Sequence, residues 1–148
     1  MPIVGEKKVK NAFYNYVIKE QQNAKEAAIT ALNYVGLECV KEARQHGKYT
    51  DRTGNLRSSI GYVVLENGIP IKKGGYQKVL NTATEAQTKS DSLISSLAAT
   101  YKTGLVLIVL AGMDYAVYVE AKGYNVLNSA ETLAKKLVPQ MLKELGLL

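Results

Sequence analysis

Gly104 to Ala130 reads GLVLIVLAGMDYAVYVEAKGYNVLNSA, and the fold turns on how its opening is taken. Leu105 to Ala111 is an unbroken apolar run rich in Val, Ile and Leu, held between Gly104 and Gly112. That length and composition predict a strand buried on both faces, in the middle of a sheet. A run of 7 residues falls far short of the roughly 20 needed to cross a bilayer, so no membrane role is expected. Gly112-Met113-Asp114 turns the chain, since Gly tolerates positive φ and Asp can bond its own backbone. Tyr115-Ala116-Val117-Tyr118-Val119-Glu120 follows at once. Two tyrosines and a carboxylate on a short apolar element, with no base or nucleophile beside them, predict a contact surface rather than a catalytic pocket.

Working outward, the rest of the chain has to supply the cover for that strand. Val9, Phe13, Tyr16, Val17, Ala24, Ala27, Ala31, Val35, Cys39 and Ala43 recur at three- and four-residue spacings, the stripe of a helix from about Glu6 to His46. Such a helix would extend about 60 Å, longer than a domain of this size needs. The polar patch Glu20-Gln21-Gln22-Asn23 is a candidate kink or break. Gly47 suits the position past its end, with Arg44 and His46 facing the negative pole of the helix dipole. Leu56 and Ile60 then lead into a strand over Gly61 to Leu65. Asn67-Gly68 predicts a tight hairpin returning through Ile69-Pro70-Ile71, and Pro70 confines the return strand to an edge. Lys73-Gly74-Gly75 reads as a loop tip and lacks the Lys-Ser/Thr of a phosphate-binding loop. Thr82-Ala83-Thr84-Glu85 has the form of a capping box, opening a helix to Tyr101 along a thin stripe of Ala86, Ser90, Leu93, Leu97 and Tyr101. Asn128 to Glu131 caps a last helix with Ala130, Leu133, Leu137, Met141 and Leu145 on one face, and Pro139 is expected to kink it.

The fold expectation is therefore α+β: a long N-terminal helix, a small, mostly antiparallel sheet of about three or four strands, a middle helix and a C-terminal helix. At 148 residues one domain is expected over residues 1–148, with 66–103 forming a hairpin-plus-helix insertion.

Composition narrows the function classes. Hydrophobic residues at 47% and charged residues at 22% exclude global disorder. Ten Tyr stand beside one Phe and no Trp, a bias that suits half-buried surfaces and subunit contacts. The net charge of +6 would favour an acidic partner such as nucleic acid. The basic groups Lys7-Lys8-Lys10, Lys72-Lys73 and Lys135-Lys136 are short and scattered, however, without the aromatic interleaving of an RNA reader. A single Cys39 on the buried stripe reads as a core residue. With His46 as the sole histidine, neither a metal set nor a Cys-His pair can be assembled, and no cofactor is expected. Ser58 and Ser59 have no local base. Asp114 and Glu120 are the carboxylates nearest the apolar strand; an acid-base pair and a turn residue with a salt-bridge partner are the two readings open for them. No apolar run follows Lys7-Lys8, so the expectation is a chain without a signal peptide, intracellular when made.

Two stretches carry a resemblance. Thr53-Gly54-Asn55-Leu56-Arg57-Ser58-Ser59-Ile60 resembles a T-G-x-L-R-x-S-I element, and Tyr115 to Glu120 resembles a Y-A-x-Y-V-E element, of the small neck and tail-component proteins of long-tailed bacteriophages and prophages. Both occur in that family's order, between a long first helix and a last helix. The chain departs from it after Glu120, with Ala121-Lys122-Gly123-Tyr124 and then Asn125-Val126-Leu127-Asn128 in place of the usual segments. Glu66 to Thr103 is also longer than the corresponding connection. The resemblance implies a virion protein made in the bacterial host cytoplasm. It would be non-enzymatic and act at the head-tail junction through a ring of its own copies and through neck, portal-side or tail proteins. It singles out Thr53, Gly54, Leu56, Arg57, Ile60, Tyr115, Ala116, Tyr118 and Glu120 as interaction residues. The alternative is a basic nucleic-acid-binding module. On physical grounds Arg57 can offer its planar fork to a carboxylate such as Glu120, which would tie the two stretches together.

Overall fold

A computed structural model describes residues 3–146, with side chains from residue 10 onward. Helix α1 (Ile3–His46) is continuous over 44 residues, about 66 Å. The polar patch at Glu20 to Asn23 does not break it. A single turn, α2 (Asn55–Ser58), runs into strand β1 (Ile60–Glu66). Strand β2 (Ile69–Gly74) returns alongside, and α3 (Ala86–Thr100) crosses to strand β3 (Leu105–Ala111). The short α4 (Ala116–Ala121) and the long α5 (Asn128–Glu144) close the chain. The α+β expectation holds: the sheet has three antiparallel strands in the order β2-β1-β3.

That order corrects the place given to the apolar run. The middle strand is β1, whose residues Ile60 to Leu65 are all buried, while β3 lies at an edge with most of its side chains only half-buried. Both faces of β3 do carry cover, as its composition demands, but covering faces says nothing about pairing edges.

One face of the sheet sets Ile60, Tyr62 and Val64, with Leu107 and Val109, against Val35, Cys39, Val40 and Ala43 of α1 and Ala130 of α5. The other sets Val63, Leu65, Ile108 and Leu110 against Ile94 of α3. The Tyr62 hydroxyl donates to Asn33 Oδ1 and Lys25 pairs with Glu66, fixing α1 across the sheet. Gly112 is where α3 comes closest, since a Cβ there would meet the Ser90 backbone nitrogen at 2.5 Å. The hairpin forms as the Asn-Gly pair requires, with φ of 51° at Asn67 and 81° at Gly68. Pro70 sits on the edge strand.

Several local expectations are revised. Lys73 and Gly74 belong to β2 instead of a loop tip. The capping box does not form: α3 starts at Ala86 with no side-chain cap, and the Thr82 hydroxyl donates to Thr53 O instead. Asn128 is the first residue of α5, not its cap; Asn125 Oδ1 accepts the Ser129 N–H from outside the helix. α5 runs through Pro139, whose ring faces solvent. The stripe of α1 is buried only at Ala31, Val35, Cys39 and Ala43, whereas Phe13 and Tyr16 are 68% and 62% exposed. Val9 lies outside the described side chains.

Candidate functional site

The two singled-out stretches meet. Leu56 from α2 packs with Met113, Ala116 and Val126 in a small apolar cluster, with Tyr49, Val119 and Leu127 at its border. Gly54 makes the approach possible: its φ of 78° is left-handed, and Leu80 stands where a side chain would go. Asp51 then takes the place of a helix cap, its two carboxylate oxygens accepting the N–H groups of Leu56 at 3.3 Å and Arg57 at 2.8 Å. The Thr53 hydroxyl accepts from Asn55 N, and Asn55 Oδ1 accepts from Glu85 N, which ties α2 to the start of α3. Ile60 is fully buried under α1 and serves the core rather than a surface.

Arg57 and Glu120 do not pair with each other. Arg57 Nη2 donates to the carbonyls of Gly47 and Tyr49, both at 3.0 Å, and the guanidinium lies 4.2 Å from the centre of the Tyr49 ring. Glu120 accepts the N–H groups of Val126 at 2.6 Å and Leu127 at 2.9 Å, which holds the backbone entering α5. Unpaired N–H groups at a helix start are themselves a favourable site for a carboxylate. The two charges are linked only through Tyr49. Burial pushes the Tyr49 hydroxyl up to about 12 against the pull of Arg57, with Asp51 and Glu120 adding to the upward shift.

Arg44 is the residue the sequence under-read. It suits a helix end by charge alone, yet its guanidinium donates to Arg57 O at 3.1 Å and Ile60 O at 2.9 Å. Arg44 and Arg57 thus bind each other's neighbourhood to the backbone at the end of α1. Only the buried polar surroundings of a half-exposed Arg could have signalled this, and those are set by tertiary contact. Ser58 and Ser59 are likewise structural: Ser58 Oγ accepts Val79 N, Ser59 Oγ accepts Gly112 N and donates to Leu56 O, and Ser90 Oγ donates to Ser59 O. Asp114 pairs with Lys89 in solvent, whereas the salt-bridge expectation for Glu120 is corrected: its carboxylate holds backbone N–H groups instead of a cation. His46 lies beside Glu42 on its own helix.

The outward side of this junction is apolar and aromatic. Tyr118 and Val117 are 72% and 73% exposed, and Tyr115 is 40% exposed. Partial burial and Asp51 push the Tyr115 hydroxyl up, opposed by the Thr53 hydroxyl next to it. Among the described residues no group of His, Cys, Asp or Glu is placed to hold a metal ion, and no helix is long and apolar enough to cross a membrane. The arrangement is a platform, braced by Arg57, Asp51 and Glu120, on which Tyr115, Val117 and Tyr118 face solvent. Set against known protein families, curated proteins and solved structures, the chain matches none.

Proposed function

We propose that this chain is a non-enzymatic structural protein of a virion, acting at the head-tail junction of a long-tailed bacteriophage or prophage through contacts with its own copies and with neck, portal-side or tail proteins. The observation that carries this reading is the first half of α1. From Lys10 to Asn23 every side chain is exposed except the half-buried Val17, and Phe13, Tyr14 and Tyr16 are each more than 60% exposed. An arm of exposed aromatics that its own core does not use is the composition of a protein-protein contact. The platform of Tyr115, Val117 and Tyr118 adds a second such surface, and the resemblance of the two stretches supplies the setting. Imaging or cross-linking of assembled neck complexes tests it. Several copies per particle with contacts through α1 and α4 are expected; a single copy, or contacts that avoid both, would overturn the reading.

The competing reading, a basic nucleic-acid-binding module, rests on the net charge of +6. Positive charge is locally balanced at Lys25, Lys73, Lys89 and Lys135, each of which lies beside a carboxylate. Duplex binding at micromolar protein that falls steeply with salt would favour it.

A further inference from the structure

The free edge of β3 is open backbone. At the ends of the β1-β3 ladder Asn67 N–H donates to Gly104 O and Gly112 N–H donates to Ser59 O. The register between them is unbroken, from Ile60 opposite Ala111 to Glu66 opposite Leu105. Because antiparallel bonds recur at every second residue, Val106, Ile108 and Leu110 turn their N–H and C=O groups to β1. Leu105, Leu107, Val109 and Ala111 turn theirs outward, where no hydrogen bond among the described residues meets them. A groove of about 610 Å³ runs beside this edge, lined by Leu105, Leu107 and Val109 and by Ala134 and Val138 of α5.

The opposite edge is guarded as natural edges usually are. On β2, Pro70 lacks an N–H, the register slips between Val64 and Leu65, and Lys72 and Lys73 carry charge. The β3 edge has none of these devices: it is seven residues long, unbulged and uncharged.

We infer that β3 pairs antiparallel with β3 of a second copy of this chain, about a two-fold axis through Ile108, to give a continuous six-stranded sheet. Unpaired N–H and C=O groups in an extended row demand a strand, so a helix or an irregular loop does not satisfy them. The strand best suited is β3 itself. Centred on Ile108, the register sets Leu105 opposite Ala111 and Leu107 opposite Val109, so every outward group of one copy faces an outward group of the other. The sequence has no charge to set against its own image. A two-fold normal to the sheet also places α1 and α5 of both copies on the same side, so that the two grooves close on each other. The charged residues of the groove are Glu120, held by the N–H groups of Val126 and Leu127, and Glu131, paired with Lys135, so each carboxylate brought to the contact already has a partner. The pairing leaves the α1 arm and the Tyr118 platform free. It does not depend on the virion reading: a β3 dimer absent from particles would sink that reading alone, and a particle protein that is monomeric in solution would sink this one alone.

The test uses the full chain. Sedimentation of the wild type across the micromolar range should show a dimer. Val109→Pro removes an outward N–H from each copy without touching the β1 ladder, and should weaken dimerisation at least about tenfold. In case that variant misfolds, Ile108→Cys provides an independent reading. The two Ile108 residues face each other as a non-hydrogen-bonded pair, whose Cα atoms lie about 4.5 Å apart, within disulfide reach. Oxidation should give a cross-linked dimer, while Ile69→Cys on β2 should not. A monomer throughout, a folded Val109→Pro variant that dimerises as tightly as wild type, or cross-linking at Ile69→Cys but not Ile108→Cys would each overturn the proposal.

Discussion

Arg57 ends on two carbonyls and an aromatic ring, and its worth follows from those partners. Charge-assisted bonds to backbone contribute more than neutral ones, so Arg57→Ala should cost about 2 to 3 kcal/mol. Glu120→Gln keeps one acceptor of two and should cost about 1 to 2 kcal/mol. Since each charge is satisfied separately, the double variant should be additive to within about 0.5 kcal/mol in denaturant unfolding. A larger coupling would mean that the two do act as a pair. Tyr49 gives the opposite kind of expectation. Its buried hydroxyl has no hydrogen-bond partner, so Tyr49→Phe, which keeps the ring under Arg57, should cost less than about 0.5 kcal/mol at neutral pH. It should also alter the alkaline limb. Burial raises the Tyr49 and Tyr76 hydroxyls from 10 to about 12, so between those values the unfolded chain has lost protons that the folded one retains. Stability is then complete below pH 10 and falls as pH rises toward 12. Melting temperature followed across that window should fall less steeply in Tyr49→Phe than in wild type.

At the scale of elements, the close approach of α3 to the sheet makes a sharp prediction. Gly112→Ala places a methyl against the Ser90 backbone, which cannot swing aside as a side-chain tip would. The substitution should cost about 1 to 3 kcal/mol, the usual range for overpacking, whereas Gly123→Ala has open space around it and only its positive φ to oppose it. This layer of detail also marks what the sequence could and could not disclose. The helical stripe of α1, the Asn67-Gly68 hairpin and the apolar character of β3 were legible because each is a periodic or local pattern. The strand order was not. An apolar run reports that both faces of a strand are covered, and β3 satisfies that from an edge, leaving the middle to β1. The capping box at Thr82 failed for a related reason: α3 starts only at Ala86, and Thr82 is held away from it by a bond to Thr53 O, distant in sequence. The candidate site shows the same division. The stretches around Arg57 and Tyr115 could be picked out and do come together, but they are joined by Leu56, Ala116 and Tyr49. An ion pair is the simplest link to infer from charges; backbone N–H and C=O groups, which carry no signature in the sequence, turn out to be their partners.

For the whole molecule, the core residues and the exposed aromatics of α1 occupy different parts of one long helix. The second half of α1 is indispensable, since Val35, Cys39 and Ala43 are buried against the sheet and α5. From Lys10 to Asn23 the helix buries little, and its exposed aromatics can be changed without opening a cavity. Ser and Tyr also differ little in helix propensity. Replacing Phe13, Tyr14 and Tyr16 together by Ser should therefore leave the melting temperature within about 4 °C of wild type, the equivalent of about 1 kcal/mol for a domain of this size. If the arm is an assembly surface, the same variant should be lost from assembled particles while remaining folded, and it should still form the β3 dimer. Circular dichroism on the purified chain and quantitation of the protein in purified particles read the two effects separately. A large fall in melting temperature would show that the arm belongs to the core. Full incorporation of a folded triple variant would show that assembly does not use it.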